Sequence, residues 1–158
     1  MTVTYPGLAR LKDMTLKTKQ LVVAVLAISA AFVGVWAAVL PVSFYNDFPL
    51  PGRRWVSTLG PYSEHLIRDV GGLYLALLVL SVYAFRRPTV AAMHMAGGAW
   101  LIFSAEHFLW HMLHLQMFPM VDKIGHVLGL GGVLVLSILL LFPDRTRGGT
   151  SDPHAEKT

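Results

Sequence analysis

The chain contains no cysteine. Without thiols it can form no disulfide, iron–sulfur cluster, thiolate zinc site or covalently attached c-type haem. Charged residues are also scarce, at 14% of 158 residues, against roughly 25% in an ordinary soluble domain. Because hydrophobic residues make up 54%, intrinsic disorder is excluded and too few charges remain to cover a soluble surface. The composition therefore indicates an integral membrane protein, and any metal site must use histidine, carboxylate or methionine ligands.

Four hydrophobic runs predict four transmembrane helices, at about residues 21–40, 66–85, 93–117 and 124–142. At 1.5 Å per residue, each run is long enough to cross, or nearly cross, a hydrocarbon core of about 30 Å. The first run is too long for the apolar region of a signal peptide, and we interpret it as an uncleaved span. The predicted fold class is all-α, an integral membrane four-helix bundle.

Basic residues set the predicted orientation, because cytoplasmic segments of membrane proteins are rich in lysine and arginine. We expect a plasma-membrane protein with both termini cytoplasmic, which gives a basic N-terminal segment 1–20, an outer loop 41–65 and a disordered tail 143–158. No basic helix with interleaved aromatics argues for nucleic acid. The expected partners are the lipid bilayer and other membrane subunits or a second copy. Nine of the 13 basic residues support this orientation: Arg10, Lys12, Lys17, Lys19, Arg86, Arg87, Arg145, Arg147 and Lys157.

The predicted outer loop is rich in proline and in aromatic residues, which suit the membrane interface. Two interpretations stay open, an interfacial lid and a cap over a ligand pocket. The Arg53–Arg54 pair is either solvated or in contact with lipid phosphate. The aromatic residues are Phe44, Tyr45, Phe48, Trp55 and Tyr62.

A stripe of ionisable residues crosses the second half of the third predicted span. His107, His111 and His114 stand at positions i, i+4 and i+7, so one helix face carries all three imidazoles. Counting 1.5 Å per residue from the predicted boundary places Glu106 and His107 about 14–15 Å deep and His126 near the surface. Since an ionisable group at mid-membrane costs at least about 2.5–3.5 kcal/mol, we expect the stripe to face partners inside the bundle.

Two further features predict close helix packing around this stripe. On the second span, Glu64 and Arg68 are spaced i, i+4, and so are His65 and Asp69. Each carboxylate can therefore hold its basic partner in place. On the fourth span, residues 125–129 form a GxxxG pattern, which allows helix backbones to approach closely.

Three interpretations of the polar cluster stay open: metal or haem ligation, a buried hydrogen-bond network that locks the helices, and a proton or ion relay. We first predict an accessory or binding subunit that holds a transition metal or haem b. The alternatives are a metal-dependent membrane oxidoreductase acting on a lipid-soluble substrate, and a purely structural membrane protein. The candidate metal ligands are His65, Asp69, His107, His111, His114 and His126. The candidates for holding a cofactor are His65, His107 and His111. The residues expected to support these ligands are Glu64, Arg68 and Glu106.

The segments FYNDFP, GPYSEHLIRDVG and HFLWHMLHL resemble a family of small four-span bacterial plasma-membrane proteins without an assigned activity. Its members carry FYxDFP, then GPYxEHLxRDVG at the start of the second span, and HxxxHxxHL in the third. Members have proline at the position of Glu106. The resemblance covers residues 36–115 and implies a four-span fold and location, but no reaction. It singles out Asp47, Trp55, Tyr62, Glu64, His65, Arg68, Asp69, His107, His111 and His114.

Overall fold

Helices and their connections make up the part of the chain that the computed structural model describes, residues 14–143, and no β-strand occurs there. The prediction of an all-α fold is confirmed. Residues 1–13 of the predicted N-terminal segment and residues 144–158 of the predicted tail lie outside the described part. In chain order the helices are α1 (Leu16–Val39), α2 (Pro41–Asp47), α3 (Glu64–Arg86), α4 (Val90–Leu113) and α5 (Met120–Leu141), with a 3-10 turn at Leu115–Met117.

Three of the described helices, α1, α3 and α5, are long and apolar enough to cross a membrane. Helix α4 is as long as α1, at 24 residues, but its second half carries ionisable side chains that lower its hydropathy. Large apolar side chains cover the outer surface of the bundle. Ile28, Ile102 and Leu128 are each at least 70% exposed. A continuous apolar surface of this kind is typical of a protein that contacts lipid.

The four long helices pack as a ring, α1 on α3, α3 on α4, α4 on α5 and α5 on α1. We call the end where α1 and α4 finish and α3 and α5 begin the loop end, and the opposite end the terminal end. Near the terminal end, Lys19 of α1 is fully buried and its Nζ donates to the carbonyl oxygen of Phe142. This bond satisfies one of the carbonyls left unpaired where α5 ends.

The half of the bundle nearest the terminal end has a close-packed core with paired polar groups. Trp100, which is fully buried, donates from Nε1 to the Ser81 hydroxyl at 2.8 Å. Ser81 donates in turn to the Leu77 carbonyl at 2.7 Å, and the hydroxyls of Ser104 and Ser137 lie 3.3 Å apart. Each of these groups therefore keeps a hydrogen bond away from water, which avoids the cost of an unpaired polar atom.

Two helix backbones approach closely at Gly71, just below the predicted pairs on α3, and not at the GxxxG pattern. A Cβ atom on Gly71 of α3 would lie 2.6 Å from the Ala38 backbone nitrogen of α1, so only glycine fits there. In the predicted GxxxG pattern, a Cβ atom on Gly129 would meet nothing within 4 Å, and Gly125 faces the side chain of Trp55. Within residues 14–143, the two glycines of this pattern therefore bring no second helix backbone close.

Three helices have a boundary that differs by three or more residues from the hydropathy prediction. Helix α4 runs Val90–Leu113, where residues 93–117 were expected. Helix α1 begins at Leu16, because the Thr15 side chain caps it by accepting from the Thr18 N–H at 3.2 Å. Helix α5 begins at Met120 directly after Pro119, not near residue 124. At 1.5 Å per residue, His126 therefore lies about 9 Å inside α5. This earlier start brings His126 to the level of the histidines on α4.

Candidate functional site

A cavity of about 340 Å³ lies at the loop end of the bundle. Side chains from all four long helices, from α2 and from the connection between α2 and α3 line it. Most of the lining is apolar, and the polar groups come chiefly from three histidines on α4 and α5. Its volume falls in the range of about 300–1,000 Å³ that is usual for small-molecule sites.

The three histidines that line the cavity are His107, His111 and His126. The ring centres of His107 and His111 are 4.6 Å apart, and those of His111 and His126 are 4.9 Å apart. His107 also stacks on Phe103 of α4, with ring centres 5.1 Å apart. The i, i+4 spacing of His107 and His111 places them on one face of α4, and the ring packing places that face against α5.

Trp55, in the connection between α2 and α3, covers the histidines from the loop side. Its indole stacks on His126 with ring centres 3.7 Å apart. A Cβ atom at position 125 would lie 2.7 Å from Trp55 Cζ2, so Gly125 leaves the space that the indole fills. The sequence left a lid and a cap over a pocket as open interpretations of this segment, and the position of Trp55 corresponds to the cap.

Further contacts hold this connection against the bundle. Arg53 Nη1 and Asp122 Oδ1 form an ion pair at 3.0 Å, which joins the connection to the first turn of α5. The Tyr45 hydroxyl donates to the Gly60 carbonyl at 2.8 Å, and the backbone N–H of Trp55 donates to the Phe48 carbonyl at 3.0 Å. Arg53 therefore contacts protein, in contrast to the expectation of a solvated or lipid-bound Arg53–Arg54 pair.

Three polar atoms in this region are buried and, within the part of the chain described, have no hydrogen-bond partner: Trp55 Nε1, His111 Nδ1 and His126 Nε2. His126 is 0% exposed and His111 is 8% exposed, and both residues line the cavity with Trp55. Leaving a buried polar atom unpaired costs about 1–3 kcal/mol. A buried network that locks the helices together would pair these atoms, so their arrangement is more typical of a site for a polar ligand group.

The ionisable residues at the start of α3 do not line this cavity. The two predicted pairs form, since Arg68 Nε lies 2.8 Å from Glu64 Oε1 and His65 Nε2 lies 3.2 Å from Asp69 Oδ2. All four residues are exposed, and Arg68 also donates to the carbonyl of Ala38 at the end of α1. The structure therefore does not bring His65 or Asp69 to the histidines of α4. The i, i+4 spacing predicted the two pairs correctly, but it did not predict which face of α3 carries them.

His114 and Glu106 also lie away from the three clustered histidines. The ring of His114 stacks on Trp110 with ring centres 4.1 Å apart, and its Nδ1 lies 2.7 Å from the Trp110 carbonyl oxygen. It follows the end of α4 at Leu113, so the helical stripe is broken before its third histidine. Glu106 is exposed on the outer surface of the bundle. It contacts none of the candidate ligands, in contrast to the supporting role that we expected.

The six predicted metal ligands are therefore divided between separate places. In residues 14–143, no group of three or more histidines and acids is arranged to hold a metal ion. The predicted haem ligands are also separated, because His65 is exposed outside the cavity. Axial ligands of a haem bind opposite faces of the macrocycle. His107 and His111 meet edge to face with no space for a macrocycle between their rings.

Two residues at the site were not predicted from the sequence as part of it. Asp122 anchors Arg53, and its backbone carbonyl oxygen lies 2.7 Å from His126 Nδ1. Tyr74 of α3 lines the cavity floor and packs edge to face on Phe103 with ring centres 5.0 Å apart. The i, i+4 spacing of Asp122 and His126 could have indicated their contact, but only if α5 had been predicted to begin at Met120.

Comparison of the chain with models of protein families, with curated proteins and with solved structures finds no match. In the part of the chain described, the protein is all-helical, with three helices that could cross a membrane and a cavity at one end of the bundle. The resemblance to four-span bacterial membrane proteins stays a prediction.

Proposed function

We propose that this protein is a four-span plasma-membrane protein that binds a small lipid-soluble molecule in the cavity at the loop end. The observation that carries the proposal is a mainly apolar cavity lined by three residues that each hold a buried polar atom with no hydrogen-bond partner in residues 14–143. Apolar walls with a few convergent polar groups are the usual features of a small-molecule site. The proposal keeps the predicted binding subunit and changes the expected ligand.

The packing of α4 supports the proposal of four spans. Helices α1, α3 and α5 are apolar enough to cross a membrane, and α4 packs between α3 and α5 along the same bundle. Basic residues at the terminal end, including Lys17, Arg86 and Arg87, favour the cytoplasm for that end. Both termini are then cytoplasmic, and the cavity lies in the outer leaflet.

A route for the ligand exists on the side of the bundle. Leu66 and Val70 of α3 and Trp110 of α4 line the cavity and are also exposed on the outer surface. In a membrane this surface contacts lipid chains. A lipid-soluble molecule therefore reaches the cavity between α3 and α4 without first leaving the bilayer.

Cysteine labelling tests the topology, because the natural chain has no cysteine to interfere. A cysteine at Ser57 should react with a membrane-impermeant maleimide added to intact cells. A cysteine at Thr89, between α3 and α4, should react only after the membrane is permeabilised. Labelling of Thr89→Cys from outside, or protection of Ser57→Cys, would contradict the proposed orientation.

Calorimetric titration of the full chain in detergent tests the binding, with 2-naphthol and 2-methoxynaphthalene as probes. We expect saturable one-to-one binding of at least one probe. Ile67→Phe, which enlarges a buried residue of the cavity wall, should abolish it. Glu106→Gln on the outer surface is the matched control and should bind as the natural chain does. Absence of saturable binding for both probes, or binding unaffected by Ile67→Phe, would overturn the proposal.

A metal ion is the second candidate occupant, and the hydrogen bond of His126 favours it. Metal-bound histidines commonly donate their other ring N–H to a carbonyl, as His126 does to Asp122. The ring of His111 lies beside the unpaired Nε2 atom of His126. Elemental analysis of protein purified from its own membrane tests this candidate. Stoichiometric zinc, copper or iron that is lost in His111→Ala and kept in His65→Ala would support it.

A further inference from the structure

The hydrogen bond between His126 and Asp122 fixes which ring nitrogen of His126 carries hydrogen. His126 Nδ1 lies 2.7 Å from the backbone carbonyl oxygen of Asp122. A carbonyl oxygen only accepts, so Nδ1 must donate. The surroundings are the rings of Trp55, His111 and Phe118, where a neutral imidazole costs less to bury than a charged one. In the neutral tautomer with hydrogen on Nδ1, the Nε2 atom is an acceptor only.

Two of the three unpaired atoms at the site, one on Trp55 and one on His126, are therefore complementary to one kind of group. His126 Nε2 requires a hydrogen-bond donor, and Trp55 Nε1–H requires an acceptor. The two rings are stacked with their centres 3.7 Å apart, and both residues line the cavity. A hydroxyl satisfies both atoms, because its oxygen accepts while its hydrogen donates. A ketone, ether or quinone oxygen satisfies Trp55 and leaves His126 unpaired.

We infer that the molecule bound in the cavity carries a hydroxyl group, which donates to His126 Nε2 and accepts from Trp55 Nε1. The inference rests on the proposed function and names the ligand class of the same cavity: lipid-soluble alcohols, phenols and quinols. The apolar walls from α1 and α3 hold the body of the molecule, and the pair of rings selects its polar end. Discrimination arises because a site built for a hydroxyl leaves a buried atom unpaired when the hydroxyl is missing.

The test compares 2-naphthol with its methyl ether, 2-methoxynaphthalene, by calorimetric titration of the full chain. The two probes share a ring system and an oxygen atom, but only 2-naphthol donates a hydrogen bond. We expect 2-naphthol to bind at least about tenfold more tightly, the effect of one hydrogen bond to an otherwise unpaired atom. His126→Phe keeps an aromatic ring against Trp55 and removes the acceptor. It should abolish the preference by weakening 2-naphthol and leave the ether unchanged.

The control variant is His94→Phe, which changes an exposed histidine near the terminal end and should keep the preference. Equal affinity for the two probes would overturn the inference while the proposed function stands. A preference that survives in His126→Phe would also overturn it, because the hydroxyl would then be recognised elsewhere. Failure of both probes to bind would remove the proposed function and this inference with it.

Discussion

The two halves of the bundle treat buried polar groups in opposite ways. Towards the terminal end, Trp100 donates to Ser81, and Ser104 contacts Ser137. Towards the loop end, the indole N–H of Trp55 and one ring nitrogen each of His111 and His126 are buried without a partner in the described chain. Both halves thus bury the nitrogen of an indole. Only one of them supplies an acceptor for it.

The difference separates the part of the fold that provides stability from the part that provides a site. Paired polar groups in a filled core add to stability, whereas unpaired groups beside a cavity reduce it by about 1–3 kcal/mol each. Proteins retain such costs mainly where function requires them. Three pairs of variants test this comparison, and the pair with the largest expected loss of stability comes first.

Replacing the two indoles separately should give very unequal losses of stability. Trp100→Ala removes a side chain that is 0% exposed and should lower the free energy of unfolding by about 3–5 kcal/mol. Trp55→Ala should cost less, because the indole borders a cavity and its N–H has no partner to lose. Thermal unfolding in detergent, followed by circular dichroism, measures both. An equal or larger loss for Trp55→Ala would remove the distinction between the two halves.

Removing one polar group from each half should change stability by unequal amounts. Ser81→Ala leaves the buried N–H of Trp100 unpaired and should cost about 1–3 kcal/mol. His126→Phe removes the unpaired Nε2 atom together with the hydrogen bond from Nδ1 to the Asp122 carbonyl, and it keeps the ring stack. The gain and the loss offset each other, so the midpoint of thermal unfolding should change little. The same unfolding measurement decides the matter. A clear loss of stability in His126→Phe would show that His126 acts as part of the packed core.

Breaking the ion pair between Arg53 and Asp122 should have the smallest effect. The Arg53 side chain is 43% exposed, and a partly exposed pair is worth about 0.2–1 kcal/mol. Arg53→Ala should therefore hardly move the unfolding midpoint, but should speed proteolytic cleavage between residues 48 and 63. Arg54→Ala, at an exposed neighbour, is the control and should cleave at the natural rate. Equal cleavage of the two variants would show that the pair does not hold the segment in place.

Much of the helical fold was predictable, because long apolar runs and 3.6-residue periodicity are local properties of the sequence. The shared face of His107 and His111 followed from their spacing alone. The placement of His65 in the same pocket did not hold. Counting residues along a helix estimates how deep a side chain lies in the membrane, but not which way it faces. The face of α3 that packs against the bundle is the one with the buried residues Ile67, Gly71 and Tyr74.

The position of His126 shows a second limit. Hydropathy places the start of the last helix near residue 124, since Asp122 and Lys123 interrupt the apolar run. Pro119 precedes the first helical residue, Met120, and α5 therefore begins about one turn earlier. That single turn moves His126 from the predicted surface to the level of His111. Small boundary errors of this kind decide which side chains meet.

Four properties of the molecule could be read from the sequence alone. They are its helices, its apolar surface, the lack of thiol chemistry and the pair of histidines on one helix face. These properties depend on composition and on residues within a few positions of one another. The contact between Trp55 and His126, in the space that Gly125 leaves for the indole, is seen only in the folded structure. No local pattern links residues so far apart in the chain. Their contact results from how α5 and the connection before α3 pack together, and that packing forms the cavity.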